Sequence, residues 1–255
     1  MQVIVIAAGR GRRLMPTTAD SPKCFAEISG KRLIDWAVSS FHANNLTDIC
    51  FIGGYQIDKV KQQYPQFTFR ENSGWENNNI LASLFCAEDL MNGPFICCYS
   101  DVLFTPEIVA KLASSPGDHV LGVDTEWLTR YEHRTDHPPD DAENVTVSDG
   151  SVTRVHREIS EADAYGEYIG VAKFSAAGAA RLREYYHRAK REFAGKPWRE
   201  ASVFEKAYLI LLFQQMIESG ERFTHVDTPG GYIEVDTQQD FEYARQHWLT
   251  RHQGR

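Results

Sequence analysis

Val3-Ile4-Val5-Ile6-Ala7-Ala8-Gly9-Arg10-Gly11-Arg12-Arg13-Leu14 opens the chain, and Pro16-Thr17-Thr18 and Pro22-Lys23 follow. Residues 3–6 are apolar, β-branched and too few for a helix, so they read as a buried strand. Small residues and two glycines come directly after. They let the backbone approach a ligand and aim N–H groups at it. Arg10, Arg12, Arg13 and Lys23 supply charge for a strongly anionic molecule, and a nucleoside triphosphate is the obvious candidate. A Rossmann dinucleotide loop would want a third glycine opening a helix and an acid about 20 residues on. That third glycine is missing, and Pro16 and Pro22 come too soon for a first helix.

The same kind of apolar run recurs at 48–52 and at 95–101, the second ending on Asp101. An alternating strand is expected at 67–72. Apolar residues at helical spacing predict a helix over 33–44, and further helices are expected at 58–64 and 79–90. Strand–helix alternation predicts a parallel sheet with helices on both faces. Ligands of such sheets sit at the carboxyl ends of the strands, where Gly9, Gly54, Asn72 and Asp101 fall. Further along, a strand is expected at 119–124, and the polar segment 126–143, with its adjacent prolines, reads as an exposed loop. Asp149-Gly150 marks a hairpin over 144–155. A strand at 167–174, helices at 176–193 and 203–219, strands at 223–226 and 232–236, and a helix at 241–248 complete the chain. No repeat or linker divides it, so residues 1–255 read as one domain.

The chain of 255 residues carries a net charge of −8, which argues against a general nucleic-acid binder. No apolar run is long enough to span a membrane, and the N-terminal run is too short for a signal peptide. The five cysteines lack paired C-x-x-C spacing. They read as buried free thiols in a reducing cytoplasm.

The opening stretch resembles the signature of the nucleotidyltransferases that make sugar nucleotides and CDP-alcohols. That signature is an apolar strand, A-A-G-x-G-x-R-L, P-x-T and P-K. The resemblance implies an α/β fold: a Rossmann-like mixed, mostly parallel sheet flanked by helices, the nucleotide-diphospho-sugar transferase fold. It also implies a small β-rich acceptor-side lobe, an insertion at roughly 125–170. Ala7, Ala8, Gly9, Gly11 and Arg12 would then cradle the nucleotide. Arg13 would hold the triphosphate, and Lys23 would contact phosphates. Of Arg10 and Arg12, one could face water.

Asp101 and Asp236 both close apolar strands. Two such carboxylates can meet around one hard cation, and Mg²⁺ favours a few carboxylates with phosphate oxygens and waters. Taken alone, either could be a turn former or helix cap, and Thr237-Gln238-Gln239-Asp240 exposes Asp236 to that alternative. The resemblance assigns both to Mg²⁺, so Arg13, Lys23, Asp101 and Asp236 become the candidate catalytic set.

The branch of the family that uses CTP carries an N-N-x-x-S-L pattern, and Asn78-Asn79-Ile80-Leu81-Ala82-Ser83-Leu84 is similar to it, with one more residue before the serine. Amides and a hydroxyl suit the edge of cytosine, so Gly54, Asn72, Asn79, Ser83 and Ser100 join the nucleotide set. Asn77 to Asn79 could equally cap the helix. Gly166-Glu167-Tyr168-Ile169-Gly170 is similar to the acceptor side of cytidylyltransferases acting on inositol phosphate and phosphonates. It adds Arg157, Glu167 and Tyr168 as candidate acceptor residues. The family often has lysine where Arg157 stands. Glu167 could pair with an acceptor ammonium or hydroxyl, or be a strand-edge charge. Trp75, Trp127, Tyr165 and Tyr168 could cage a trimethylammonium group or be core. The expectation is a Mg²⁺-dependent cytidylyltransferase joining CTP to a small phosphonate or to phosphocholine, cytoplasmic, compatible with a homodimer. A sugar-1-phosphate nucleotidyltransferase and a non-catalytic nucleotide sensor are the alternatives.

Overall fold

The structure, a computed structural model, describes residues 1–132, 134–136 and 141–252, with side chains described to residue 249. In chain order its first half holds β1 (Gln2–Ala7), β2 (Glu27–Ile28), β3 (Lys31–Arg32), α1 (Leu33–His42), β4 (Ile49–Gly53), α2 (Ile57–Gln63), β5 (Thr68–Glu71), α3 (Ile80–Leu84), β6 (Phe95–Tyr99), β7 (Val102–Phe104) and α4 (Pro106–Ser114). The second half holds β8 (His119–Asp124), α5 (Leu128–Tyr131), β9 (Asn144–Ser148), β10 (Ser151–His156), β11 (Gly166–Phe174), α6 (Ala176–Phe193), α7 (Leu209–Glu218), β12 (Phe223–Asp227), β13 (Tyr232–Glu234) and α8 (Gln238–His252).

β1 sits inside a nine-stranded sheet of order β5-β4-β1-β6-β11-β8-β12-β10-β9. The pairings from β5 to β6 are parallel, and β11 runs antiparallel to both β6 and β8. Successive strand residues point to opposite faces, and both faces of this sheet are covered. Ile4 and Ile6 enter one apolar cluster with Leu84, Leu182 and Phe213 from α3, α6 and α7. Val3 and Val5 enter another with Phe41 of α1 and Val109 of α4. That two-sided burial is why the strands are unbroken apolar runs. Four of the five cysteines, Cys24, Cys50, Cys97 and Cys98, are buried as free thiols.

The far end of the sheet curls. β12 meets β10 at Val152–Phe223, β10 pairs with β9, and β9 returns to the start of β11 through Val145–Gly166. With β8 these strands close a circuit of pairings, and they form the β-rich lobe. A third apolar cluster holds Leu14, Ile28, Leu33, Leu103, Val235, Phe241 and Trp248. It anchors the loop after β1 to β7, β13 and α8.

Several elements depart from expectation. The run 95–101 stops at Tyr99 and restarts as β7, which pairs with β13 rather than with the main sheet. Helix 79–90 is split: α3 ends at Leu84 and a tighter 3₁₀ stretch, Phe85–Leu90, follows with non-helical Ala87. Helix 203–219 begins only at Leu209. Before it the chain makes only a short 3₁₀ turn, Phe204–Lys206, and the carbonyls of Glu205 and Ala207 accept from the N–H groups of Asn79 and Leu81, so they do not serve a first turn of α7. Helix α4, entered through Thr105-Pro106, was not expected; proline at the first helical position is its signal. Segment 126–143 is not simply an exposed loop, because it contains α5 and buries Trp127, Arg130 and Tyr131. Its two prolines lie outside the described residues.

Gly170 breaks the register of β11 between Tyr168 and Ala172. Its φ is +71°, and a Cβ there would stand 2.5 Å from the Tyr99 ring. Both the backbone conformation and the close approach exclude a side chain. Gly170→Ala is therefore expected to lower stability by about 2 kcal/mol or more. Urea unfolding checks this, and an unchanged midpoint would contradict it.

Candidate active site

The loop after β1 is shaped around one lysine. Gly11 takes φ +67°, and a Cβ there would stand 2.8 Å from the Lys23 side chain. Glycine lets the Lys23 stem lie flat against the loop. Thr18 Oγ1 donates to the Gly11 carbonyl at 2.9 Å and fixes the turn. Lys23 opens a 3₁₀ turn after Pro22 and is buried. Its Nζ donates to Asp101 Oδ2 at 2.6 Å and to Asp236 Oδ1 at 2.5 Å.

The two aspartates meet because their strands do. Antiparallel pairing of β13 with β7 sets Glu234 opposite Val102, and Val235 N donates to the Asp101 carbonyl at 2.8 Å. Residue 236 therefore emerges beside residue 101. Asp236 is not the cap of α8. Asp240 Oδ2 accepts from the N–H groups of Asp236 and Thr237, and Thr237 Oγ1 accepts from Asp240 N. This reciprocal box caps the helix and leaves the Asp236 carboxylate turned to Lys23 and to Arg13, with which it also forms an ion pair. Burial pulls the Lys23 ammonium toward neutrality, but Asp101 and Asp236 outweigh it and hold the group charged, above the usual lysine range.

These residues line a cavity of about 390 Å³. Of the sequence candidates, Ala7, Ala8, Gly9, Gly11, Arg12, Arg13, Lys23, Asn79, Ser83, Ser100, Asp101 and Asp236 border it. Gly54 and Asn72 do not; they stand behind its wall. A Cβ on Gly54 would collide with the Ala8 carbonyl and the Trp75 ring, both at 2.7 Å, so glycine lets the two walls meet. The Asn72 amide binds Asn78 and Ser83 at 2.8 and 2.9 Å and accepts from Gly74 N and Asn78 Nδ2, which exhausts much of its capacity. Asn79 both borders the cavity and caps α3, with its Oδ1 accepting from Ile80 N at 2.8 Å.

A second cavity of about 140 Å³ shares Arg13, Asp101 and Asp236 with the first. Arg157, Glu167 and Tyr168 border it, together with Asp141, Glu143, Tyr99, Tyr208, Tyr232 and Glu234. Arg157 lies over the Tyr208 ring at 3.9 Å and donates to Asp141 at 2.9 Å. Asp141 also accepts from Arg13 at 3.1 Å, so one carboxylate joins the arginines of the two cavities.

Glu167 is not a strand-edge charge. It has partners on both sides, Asp124 of β8 and Asn144 of β9. Its carboxylate is taken by the protein, by Arg130, which also pairs with buried Asp124, and by Tyr131 at 3.0 Å. Glu143 is the acid that sequence reading missed. It is buried, accepts from Tyr99 at 3.1 Å, and is 3.7 Å from Arg157. Burial pushes its carboxyl up to about 7, against the pull of Arg157 and Tyr99. Tyr168 Oη is buried beside it with no partner among the described residues. The aromatic cage does not assemble. Trp75 packs on Tyr55 in the first cavity, Trp127 on Tyr131, and Tyr165 on His225.

Among the described residues no group of three or more His, Cys, Asp and Glu gathers as a metal site. Asp101 and Asp236 nonetheless converge on one cationic atom with oxygen donors alone. That set fits a hard divalent cation whose remaining ligands come from phosphates and water. No described helix is long and apolar enough to cross a membrane.

Residues 3–139 match the family described as the MobA-like NTP transferase domain. The chain is 28% identical to the CTP:phosphoglutamine cytidylyltransferase of Campylobacter jejuni, over 95% of this chain and 98% of that protein. It is 24% identical to the 2-aminoethylphosphonate cytidylyltransferase of Lancefieldella rimae, over 74% and 73% of the two chains. Its fold superposes on the inositol-1-phosphate CTP transferase of T. maritima with a TM-score of 0.72 at 22% identity, covering 95% and 94%.

A carboxyl raised by burial favours the proton-bound, folded state. Glu143 therefore contributes stability at acid pH that is lost as pH climbs from the ordinary glutamate range through about 7. Glu143→Gln should remove that dependence, so relative to the native chain the variant gains ~2.5 kcal/mol between pH 5 and pH 8. Urea unfolding at the two pH values measures it; equal differences at both would refute the assignment.

Proposed function

The chain belongs to the MobA-like NTP transferase family, and from that we propose that it is a cytidylyltransferase. It transfers CMP from CTP to an oxygen of a small phosphate or phosphonate and releases pyrophosphate. One observation carries this reading: the cradle after β1 and the second cavity share Arg13, Asp101 and Asp236. A nucleotide in one and an acceptor in the other would meet at those residues. The names of the three relatives all specify CTP or cytidylyl transfer, while their acceptors differ. That supports a shared nucleotide half and an acceptor half that varies.

The chemistry follows from the charges. Backbone N–H groups of residues 8–11 and the Arg13 fork would hold the triphosphate. Asp101 and Asp236 would hold Mg²⁺, which when bound neutralises charge on the α-phosphate and the leaving pyrophosphate. The acceptor oxygen, already anionic, bonds to the α-phosphorus in line. The bond from that phosphorus to the bridging oxygen breaks, and pyrophosphate leaves with the electron pair. No general base is required, so the work is positioning and charge neutralisation. Arg157 would hold the acceptor's phosphate or phosphonate. Glu143, rather than the self-paired Glu167, is the acid placed to meet an acceptor ammonium or hydroxyl. We favour an aminoethyl- or hydroxyethylphosphonate, or phosphocholine, over a hexose phosphate. Four buried free cysteines suit a reducing cytoplasm.

Pyrophosphate release with CTP, UTP, dTTP and GTP against phosphonates, phosphocholine and hexose phosphates tests the reading. Turnover is expected only with CTP and a small phosphate or phosphonate, and turnover only with a hexose phosphate would overturn it. Asp101→Asn is expected to lower kcat by about 10²–10³-fold with far-UV circular dichroism unchanged; near-native kcat would remove Asp101 from the chemistry.

A further inference from the structure

The seat between Asp101 and Asp236 already holds a cation, the Lys23 ammonium, at 2.6 and 2.5 Å. We propose that Lys23 is the resident counter-ion of this carboxylate pair, and that a divalent cation enters the seat only when nucleotide phosphates draw the lysine away. The inference rests on the reading of Asp101 and Asp236 as the metal carboxylates and adds an order of events to it.

Three features support it. The seat is enclosed: the Lys23 and Asp236 side chains are 8% and 10% exposed, and Asp101 is 24% exposed. Two carboxylates in such a place repel each other and must be compensated when no substrate is present. Lys23 and the guanidinium of Arg13 supply that compensation. The carboxylate pair is therefore compensated without a metal. Adding a divalent ion beside an unmoved ammonium would place like charges in contact inside a poorly solvated site.

The lysine can leave. Its ammonium is a point charge on a flexible four-carbon stem, and the stem lies along Gly11 in the wall of the nucleotide cavity. A triphosphate seated on that wall offers Nζ an anion at the other end of a short swing. The phosphates also bring oxygen ligands that the two aspartates alone lack. One event would thus empty the seat and complete its coordination. Free metal would be excluded from the enzyme, and metal would arrive with the nucleotide.

The test reads metal occupancy, not activity. Mn²⁺ is titrated without nucleotide and followed by electron paramagnetic resonance. The native chain is expected to bind Mn²⁺ alone at least tenfold more weakly than Lys23→Met, and Lys23→Met/Asp101→Asn should lose the gain. Lys23→Gln, whose amide can bridge both carboxylates without charge, gives the same comparison if methionine disturbs the fold. Equal Mn²⁺ affinity in the native and Lys23 variants would overturn the inference while leaving the metal reading intact. If the native chain also fails to bind Mn²⁺ with cytidine 5′-(α,β-methylene)triphosphate, the metal reading falls and takes the inference with it.

Discussion

Three ionised side chains from distant parts of the chain, Lys23, Asp101 and Asp236, meet inside the protein, and the fold is arranged to make that meeting stable. Charges taken out of water are costly unless they are paired with good geometry. Each partner is therefore delivered by a separate rigid device. Lys23 comes from a turn tied to Gly11. Asp101 follows β6, the parallel neighbour of β1. Asp236 follows β13, which is locked beside β7 and backed by the cluster of Leu14, Leu103, Val235 and Phe241. The T-x-x-D box at the head of α8 caps the helix itself and leaves the Asp236 carboxylate turned to Lys23.

The second cavity repeats the principle with other residues. Arg130 is buried between Asp124 and Glu167 and lies over the Tyr232 ring. It joins β8, α5 and β11, so the segment after β8 is held to the lobe by charge as much as by apolar contact. Removing one member of such a network costs about 3–5 kcal/mol, because the partner is left buried and unpaired. Glu143 has no such full partner, and its raised carboxyl marks where the protein's own pairing runs out.

Much of this was legible in the sequence. The apolar run at 3–6 and its repeats gave the parallel half of the sheet, because strands buried on both faces leave no polar alternation to misread. Gly9, Gly11, Arg13 and Lys23, singled out by their spacing, line one cavity. What stayed hidden depends on tertiary contact. Nothing local in Asp141 or Glu143 shows that they border the second cavity, since that depends on the closure of β9 against β11. Gly54 and Asn72 sit at strand ends as expected, yet they stand one layer behind the cavity. The late start of α7 was invisible because the carbonyls of 205–207 serve the first turn of α3, an obligation of another element. The T-x-x-D box, by contrast, is written in local chemistry alone.

The proposed reaction would bring two anionic substrates together at one centre without a covalent relay through the protein. Of the five cysteines, all but Cys86 are buried, and burial raises each thiol rather than activating it. Direct in-line attack inverts configuration at phosphorus. The most direct measurement is the stereochemical course with one diastereomer of cytidine 5′-O-(1-thiotriphosphate), read by phosphorus NMR of the product. Inversion at the α-phosphorus is the predicted result. Retention would demand a cytidylylated enzyme between two displacements and would contradict the account.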